Sequence, residues 1–328
     1  MIENRCFKSC KVPVSHIFSF RDNIISEQEI CRPGLTGMRH STRRTTEAKP
    51  MTSSPETVFW PKKYWCDMIS RQFRHLPPET VAILPVAAVE QHGPHLPVYV
   101  DACINEMLLD KALEALPSTI PATALPIQAV GKSEEHVAYP GTLTLSAQTL
   151  TQVLIEIGES VARSGVKRLV LLNSHGGQPQ ILDIVARTLR RTHGMFVVCV
   201  GWSRFGVPDG MFTAEERQYG IHGGDIETSL MLHLRPDLVD MSRADNFEPW
   251  PQKLAETAKW LEAEGRVGFG WLTHDIHPSG AAGNAGIATA EKGEAVANQW
   301  IKGFLELLAE IAEYPLDRIR PITEDLGR

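Results

Sequence analysis

The sequence predicts an α/β protein whose mostly parallel β-sheet is covered by helices on both faces. Two observations carry this prediction. Short apolar runs alternate with longer amphipathic runs between about residues 80 and 200, an order typical of β-α-β units. The chain of 328 residues is 43% hydrophobic and 22% charged, a composition that allows a large buried core.

Each predicted element follows from its local pattern. The run TVAILPVAAV at 80–89 is apolar almost throughout, as expected of a strand buried on both faces, despite Pro85. Apolar residues recur at helical spacing in ACINEMLLDKALEAL at 102–116. A helix at 146–165 begins at a capping serine and ends at a glycine. The remaining predicted elements are strands at 122–130, 167–173 and 195–200 and a helix at 178–194.

The ends of the chain lack these patterns. We assign residues 56–320 to one domain and interpret residues 321–328 as a tail. Residues 1–55 show neither alternation nor helical periodicity, which predicts a disordered extension or a mis-annotated start with Met51 as the real first residue.

Charge and composition exclude several classes of partner. Residues 1–50 carry nine basic and five acidic side chains, which leaves 24 basic and 34 acidic ones in residues 51–328. Such an acidic domain repels the phosphate backbone of nucleic acids. No apolar run approaches the roughly 20 residues of a membrane-spanning helix. With scattered cysteines and no secretory signal pattern, we expect a cytoplasmic protein with reduced thiols that binds neither nucleic acid nor a membrane.

Three polar segments offer groups that bind metals, and two of them directly follow predicted strands. Because ligands gather at the carboxyl ends of parallel strands, we expect these segments to share one crevice. The alternative for each residue is structural: a hydrogen-bonded histidine, or an acid that caps a helix. Asp101 alone suffices as the cap, so capping leaves its neighbours unexplained. The residues are Glu90, His92 and Asp101, then His175, and finally His222 and Glu227.

Metal chemistry explains these groups together. Two divalent ions about 3.5 to 4 Å apart need a bridging carboxylate and terminal imidazole and carboxylate ligands. We expect Asp101 to bridge, Glu90 and His175 to complete one ion, and His92 and Glu227 to complete the other. Nitrogen and oxygen ligands favour zinc and also admit manganese or iron.

At this point the sequence resembles the creatininase (creatinine amidohydrolase) family. The motifs that carry the resemblance are LPVAAVEQHGPHLPVYVD (84–101), HVAYPGTLTL (136–145), LVLLNSHGGQ (169–178), HGGDIETSLML (222–232) and HPSGAAGNAGIATAEKGE (277–294). The resemblance implies a three-layer α/β/α sandwich, a binuclear metal centre and hydrolysis of non-peptide carbon–nitrogen bonds in small, often cyclic, amides. It also implies a ring-shaped homo-oligomer, commonly a hexamer.

The resemblance assigns metal binding to Glu90, His92, Asp101 and His175. The creatinine-hydrolysing branch has a glutamate where this chain has Gly177, so the chain resembles a wider branch with the sequence HGG, in which Glu227 supplies the last carboxylate. The expected mechanism uses a metal-bridging hydroxide that attacks the carbonyl carbon. His222 is the expected proton shuttle, because histidine titrates near working pH and its family counterpart has that role; a helix-capping histidine is the alternative.

The substrate contacts are the least determined part of the sequence. The structural alternative is a turn for His136, Gly176 and Gly177, and ordinary core for Trp202. Gln218 stands where the creatinine branch has a tryptophan, which predicts poor or absent creatinine turnover. Creatinine hydrolysis, deformylation of a pyrimidine precursor and a non-enzymatic metal- or ligand-binding assembly protein remain alternative functions. The expected substrate contacts are His136, Gly176, Gly177, Trp202 and Tyr219.

Overall fold

The computed structural model describes residues 58–320, so the predicted extension at 1–55 and the predicted tail at 321–328 lie outside the described residues. Its main sheet has four strands in the order β2-β1-β3-β4, and all neighbouring strands are parallel. The strands are β1 (Val81–Val86), β2 (Ala122–Ala124), β3 (Arg168–Asn173) and β4 (Phe196–Gly201). Both central strands, β1 and β3, are buried along their whole length.

Helices cover both faces of this sheet. On one face, Ile83 and Val170 pack with the long helices α1 (Val100–Glu114) and α8 (Ala290–Glu313). On the other face, Leu84 and other outward residues of the same strands pack with α2 (Ala147–Arg163) and α3 (Pro179–His193). Alternate side chains of one strand therefore enter two different cores, which is why the strands are apolar throughout. The predicted fold class is confirmed.

The segment between β4 and α8 contains shorter elements. They are α4 (Ala214–Tyr219), α5 (Asp225–Leu234), β5 (Asn246–Phe247), α6 (Trp250–Leu254), α7 (Thr273–Ile276) and β6 (Gly283–Asn284). The two short strands pair with each other in antiparallel orientation. No helix within the described part of the chain is long and apolar enough to cross a membrane.

Helices α5 and α8 pack closely, and this contact fixes the position of α5. A side chain at Gly293 would overlap the carbonyl oxygen of Ser229, so glycine is needed for the approach of the two backbones. Lys292 Nζ lies 2.7 Å from Oδ2 of the buried Asp225, which is the first residue of α5. The start of α5, where the third polar segment lies, is therefore held against the core.

Candidate metal centre

The three polar segments converge at the carboxyl ends of β1 and β3. The loop after β1 carries Glu90 and His92 and leads into α1, whose first turn contains Asp101. His175 follows β3 directly. The third segment contributes His222. The backbone N–H of His222 donates to the carbonyl oxygen of Ala282, and its carbonyl oxygen accepts from the N–H of Ala282. The topology therefore brings together side chains that are far apart in the sequence.

Asp101 lies between two imidazoles. Its Oδ1 is 3.5 Å from His92 Nε2, and its Oδ2 is 3.2 Å from His175 Nδ1. All three side chains are almost completely buried. The two oxygens of a single carboxylate thus face two different histidines, which is the arrangement that a bridging ligand requires.

The other two carboxylates make their shortest approaches to different histidines of this group. Glu90 Oε1 is 3.2 Å from His175 Nδ1 and 3.7 Å from His222 Nδ1, and Glu90 Oε2 accepts a hydrogen bond from Ser133 Oγ. Glu227 Oε2 is 3.8 Å from His92 Nε2. It also accepts a 2.6 Å hydrogen bond from the backbone N–H of Gly223, just before α5. Each histidine of the pair therefore has its own second carboxylate.

These residues fit divalent metals. His92 Nε2 and Asp101 Oδ2 are buried and have no hydrogen-bond partner among the described residues, although unsatisfied buried polar atoms are costly. Three groups have ligand atoms within 4.8 Å of one another: Glu90 with His92 and His222, Glu90 with Glu135 and His175, and His92 with Asp101 and Glu227. Imidazole and carboxylate form the donor set of zinc and manganese sites.

Comparison with known proteins shows which family this chain belongs to. The family model described as creatininase, creatinine amidohydrolase, matches residues 67–308. The chain belongs to the creatininase family. Members of the creatininase family are hydrolases, and the residues that fit a metal lie inside the matched range.

Two relatives with different named activities are similar to this chain. The mycofactocin precursor peptide peptidase of Mycolicibacterium smegmatis is 32% identical over 71% of this chain and 85% of its own length. The creatinine amidohydrolase of Pseudomonas putida is 28% identical over 72% of this chain and 91% of its own length. The two relatives act on different substrates, so family membership leaves the substrate of this chain undecided.

Solved creatininases share the fold. A manganese form is 26% identical, covers 77% of this chain and all of its own, and has a TM-score of 0.61. A mutant creatininase of zinc–zinc type is 28% identical, covers 72% of this chain and 92% of its own, and has a TM-score of 0.58. These likenesses agree with the three-layer α/β/α sandwich.

Electrostatics in this creatininase-family site are dominated by the carboxylates. Burial by itself lowers the pKa of His92, but Asp101, Glu227 and Glu90 outweigh burial and raise it to about 9. The pKa of His175 is raised well above its ordinary value in the same way, against burial. Burial, together with the neighbouring carboxylates, raises the pKa of Glu227 to about 7. Without metal, protons therefore occupy the imidazole nitrogens of His92 and His175, and a cation that binds there would replace these protons.

His222 differs from these two histidines. Burial, followed by the neighbouring charge of His92, lowers its pKa well below the ordinary value. Its Nε2 lies 2.7 Å from the carbonyl oxygen of Gln91, which can only accept, so Nε2 carries the hydrogen. Its Nδ1 is then free of a proton and faces Glu90. His222 is placed either to exchange a proton at Nδ1 or to bind a metal there.

Among the expected substrate contacts, His136 lies within the cluster and Tyr219 lines a cavity. His136 is buried, with Nε2 3.4 Å from Glu90 Oε1 and its ring 4.2 Å from the ring of His222. Tyr219 and Ile221, just before His222, line a cavity of about 190 Å³ whose far wall comes from residues 251–264. No residue of the metal centre lines this cavity, and it is a candidate substrate pocket because Ile221 directly precedes His222.

Trp202 requires a correction. The sequence led us to expect a substrate contact, but the indole is 1% exposed, donates a 3.0 Å hydrogen bond to Asn105 and packs 5.1 Å from the ring of Phe304. A ring enclosed by core residues has no face left for a ligand. Trp202 belongs to the core between the sheet and α8.

The two glycines after His175 also differ from each other. A side chain at Gly176 would meet no atom within 4 Å, whereas one at Gly177 would overlap Glu135 Oε1. The expectation that both glycines admit a close ligand therefore needs refinement: the space at Gly177 is filled by a carboxylate of the chain itself.

Sequence reasoning overlooked several side chains of the site. Gln91 Nε2 lies 2.8 Å from His136 Nδ1, and Thr273 Oγ1 lies 2.9 Å from the same nitrogen. Glu135 Oε1 lies 3.2 Å from His175 Nε2. Gln91 and Glu135 each adjoin a histidine that the sequence analysis had singled out, and this adjacency was the available signal. Thr273, which comes from α7, had no such signal.

Proposed function

We propose that the chain is a binuclear metal-dependent hydrolase that cleaves an amide bond of a small molecule. The observation that carries the proposal is the position of Asp101, whose two carboxylate oxygens face His92 and His175 separately. The family match and the manganese and zinc–zinc forms of solved creatininases support the same conclusion.

The ligand set divides into two halves around the bridge. Glu90, His175 and one oxygen of Asp101 would hold one ion, and His92, Glu227 and the other oxygen of Asp101 would hold the second. Each ion then has three protein ligands, which leaves coordination positions for water and substrate. We propose zinc as the preferred metal, with manganese or iron as alternatives that the nitrogen and oxygen ligands also suit.

The chain's own residues supply the proton transfer. When bound, the two ions supply Lewis-acid polarisation of the amide carbonyl and a water activated for attack. His222 keeps its Nε2–H on the carbonyl oxygen of Gln91 and takes up at Nδ1 the proton that the attacking water loses. Its low pKa means that the imidazolium gives this proton up readily, and the leaving nitrogen of the amide is the acceptor.

The pocket favours a compact substrate. Its volume of about 190 Å³ is below the roughly 300 Å³ at which drug-sized ligand sites begin. Tyr219 offers an aromatic surface in this pocket, whereas Gln218 offers none. We propose a small amide or lactam as substrate, with creatinine turned over poorly or not at all. A short peptide is the second candidate, because a 32% identical relative is named as a peptide peptidase.

An amide panel tests this proposal. The metal-loaded protein is assayed on creatinine, other cyclic amides, formamides and short peptides, with a chelator-treated sample as control. We expect hydrolysis of at least one small amide that the chelator abolishes and added metal restores. Full metal content without hydrolysis of any substrate in the panel would favour a metal-bearing assembly protein instead.

We also propose a ring-shaped homo-oligomer, with six chains as the expected number. Trp60, Trp250 and Trp260 are all exposed on the single chain, and large exposed apolar side chains are enriched at subunit contacts. Light scattering over a range of protein concentrations tests this assignment. A monomer at every concentration would contradict it.

A further inference from the structure

The outer side of the His175 ring is as closely surrounded as the side that faces the ligands. Nδ1 faces Glu90 and Asp101, while Nε2 lies 2.9 Å from the carbonyl oxygen of Lys132 and 3.2 Å from Glu135 Oε1. A carbonyl oxygen can only accept, so Nε2 carries the hydrogen and Nδ1 carries the lone pair in the neutral ring. Glu135 then adds a negative charge behind a histidine whose other nitrogen is the metal-binding atom.

Glu135 is held in this place from two directions. Its Oε2 lies 2.7 Å from Lys132 Nζ, and its backbone oxygen accepts a 2.9 Å hydrogen bond from Thr273 Oγ1. The residue is buried and lies in a short 3-10 turn that ends at His136. The carboxylate is therefore fixed relative to the ring and does not move freely toward solvent.

Gly177 provides the space for this carboxylate. A Cβ at position 177 would overlap Glu135 Oε1 and would lie 2.6 Å from His175 Nε2, while a Cβ at Gly176 would meet nothing within 4 Å. The φ angle of Gly177 is outside the left-handed region, so the backbone conformation does not require glycine. Steric exclusion by Glu135 and by the His175 ring is the remaining requirement for glycine at this position.

We propose that Glu135 is a positioning residue for His175 and that Gly177 is needed to leave room for it. A carboxylate behind a ligating histidine orients the ring and raises its basicity toward the metal, and losing such a partner weakens metal affinity by about 10- to 100-fold. The inference rests on the proposed metal-dependent function, and it concerns a residue that does not itself bind the ion.

A double-mutant cycle tests the proposal through metal affinity and not only through activity. Zn²⁺ affinity and the number of ions bound are measured by chelator competition for wild type, Glu135→Ala, Gly177→Ala and the double variant. Gly176→Ala is the matched control, and melting temperatures identify variants that fail to fold. Glu135→Gln keeps an accepting oxygen without the charge and separates the two contributions.

We expect Glu135→Ala and Gly177→Ala each to weaken one of the two ions about 10- to 100-fold, with two ions still bound at saturation. Gly176→Ala should behave as wild type, and Glu135→Gln should lie between wild type and Glu135→Ala. In the double variant, Gly177→Ala should cost clearly less than it does alone, because the carboxylate that it displaces is absent and only the contact with the His175 ring remains.

Three results would overturn the inference. Unchanged affinity in Glu135→Ala would show that the carboxylate does not act on His175, and loss of one whole ion at saturation would make it a direct ligand. Equal costs of Gly177→Ala with and without Glu135 would mean that the glycine serves another purpose. A wild type that binds no metal would instead reject the proposed function itself, so the two failures are distinguishable.

Discussion

Metal affinity of this chain should depend steeply on pH. The pKa of His92 is about 9 in the metal-free protein, so a proton occupies its ring at neutral pH. Only the neutral imidazole binds a metal, and the proton therefore competes with the cation. The sign follows directly: affinity increases as pH rises toward 9 and becomes constant above it.

The magnitude follows from the distance between pH and pKa. A pH of 7 is about two pH steps below the pKa of His92, so deprotonation of the ring costs about 2.7 kcal/mol. This cost lowers the metal affinity roughly 100-fold. Each proposed ion has one histidine, and the pKa of His175 is also raised. The ion that His92 holds should then bind about tenfold more tightly for each pH step between 7 and 9, and the affinity of the other ion should change in the same direction.

Isothermal titration calorimetry with Mn²⁺ provides the assay. Titrations at pH 7.0, 7.5 and 8.0 in two buffers of different ionisation heat give the affinity and the number of protons released. We expect proton release at pH 7.0, with about one proton from His92 and a further fraction of a proton from Glu227, whose pKa is about 7. The variant His193→Gln is the control, because His193 is a half-exposed residue near the end of α3 that contacts Glu159 away from the site. Equal affinities at pH 7.0 and 8.0 with no proton release would refute the reasoning.

Three further predictions use single substitutions. Asp101→Ala should remove both ions, whereas Glu227→Ala should remove one, and elemental analysis after dialysis would reject the bridge if both variants lost the same single ion. His222→Gln should retain metal but lower turnover by about two to four powers of ten, whereas metal loss with retained turnover would make it a ligand. Lys292→Met should lower the free energy of unfolding by about 3 kcal/mol, because it leaves a buried carboxylate unpaired. The exposed Lys302→Met should change it by less than about 1 kcal/mol, and equal effects in denaturant titrations would contradict the burial argument.

The sequence by itself determined the architecture around the site. The apolar strands and amphipathic helices from residue 80 to residue 201 are local patterns, and each can be identified without knowledge of the rest of the chain. Predicted boundaries were less accurate. The strand predicted at 122–130 spans only Ala122–Ala124 in the main sheet, where it pairs with β1. The long helix α8 was not predicted, although its buried apolar residues recur at helical spacing.

Much of the candidate site could also be predicted. Parallel strands carry their carboxyl ends to one edge of the sheet, so Glu90, His92 and His175 had to lie near one another once the strands were identified. Asp101 was recognisable as an acid in the first turn of a helix that follows the same loop. The convergence of these residues is therefore a consequence of topology that local sequence already contained.

Tertiary structure alone decided which atoms face each other. The sequence did not show that Glu135 would lie behind His175 and fill the space at Gly177, because that contact depends on how two distant loops cross. Trp202 follows a strand end just as a ligand-binding residue would, yet α8 closes over it and makes it core. Local patterns specify which face of an element is apolar, whereas the partner that covers that face is set by packing among segments far apart in the chain.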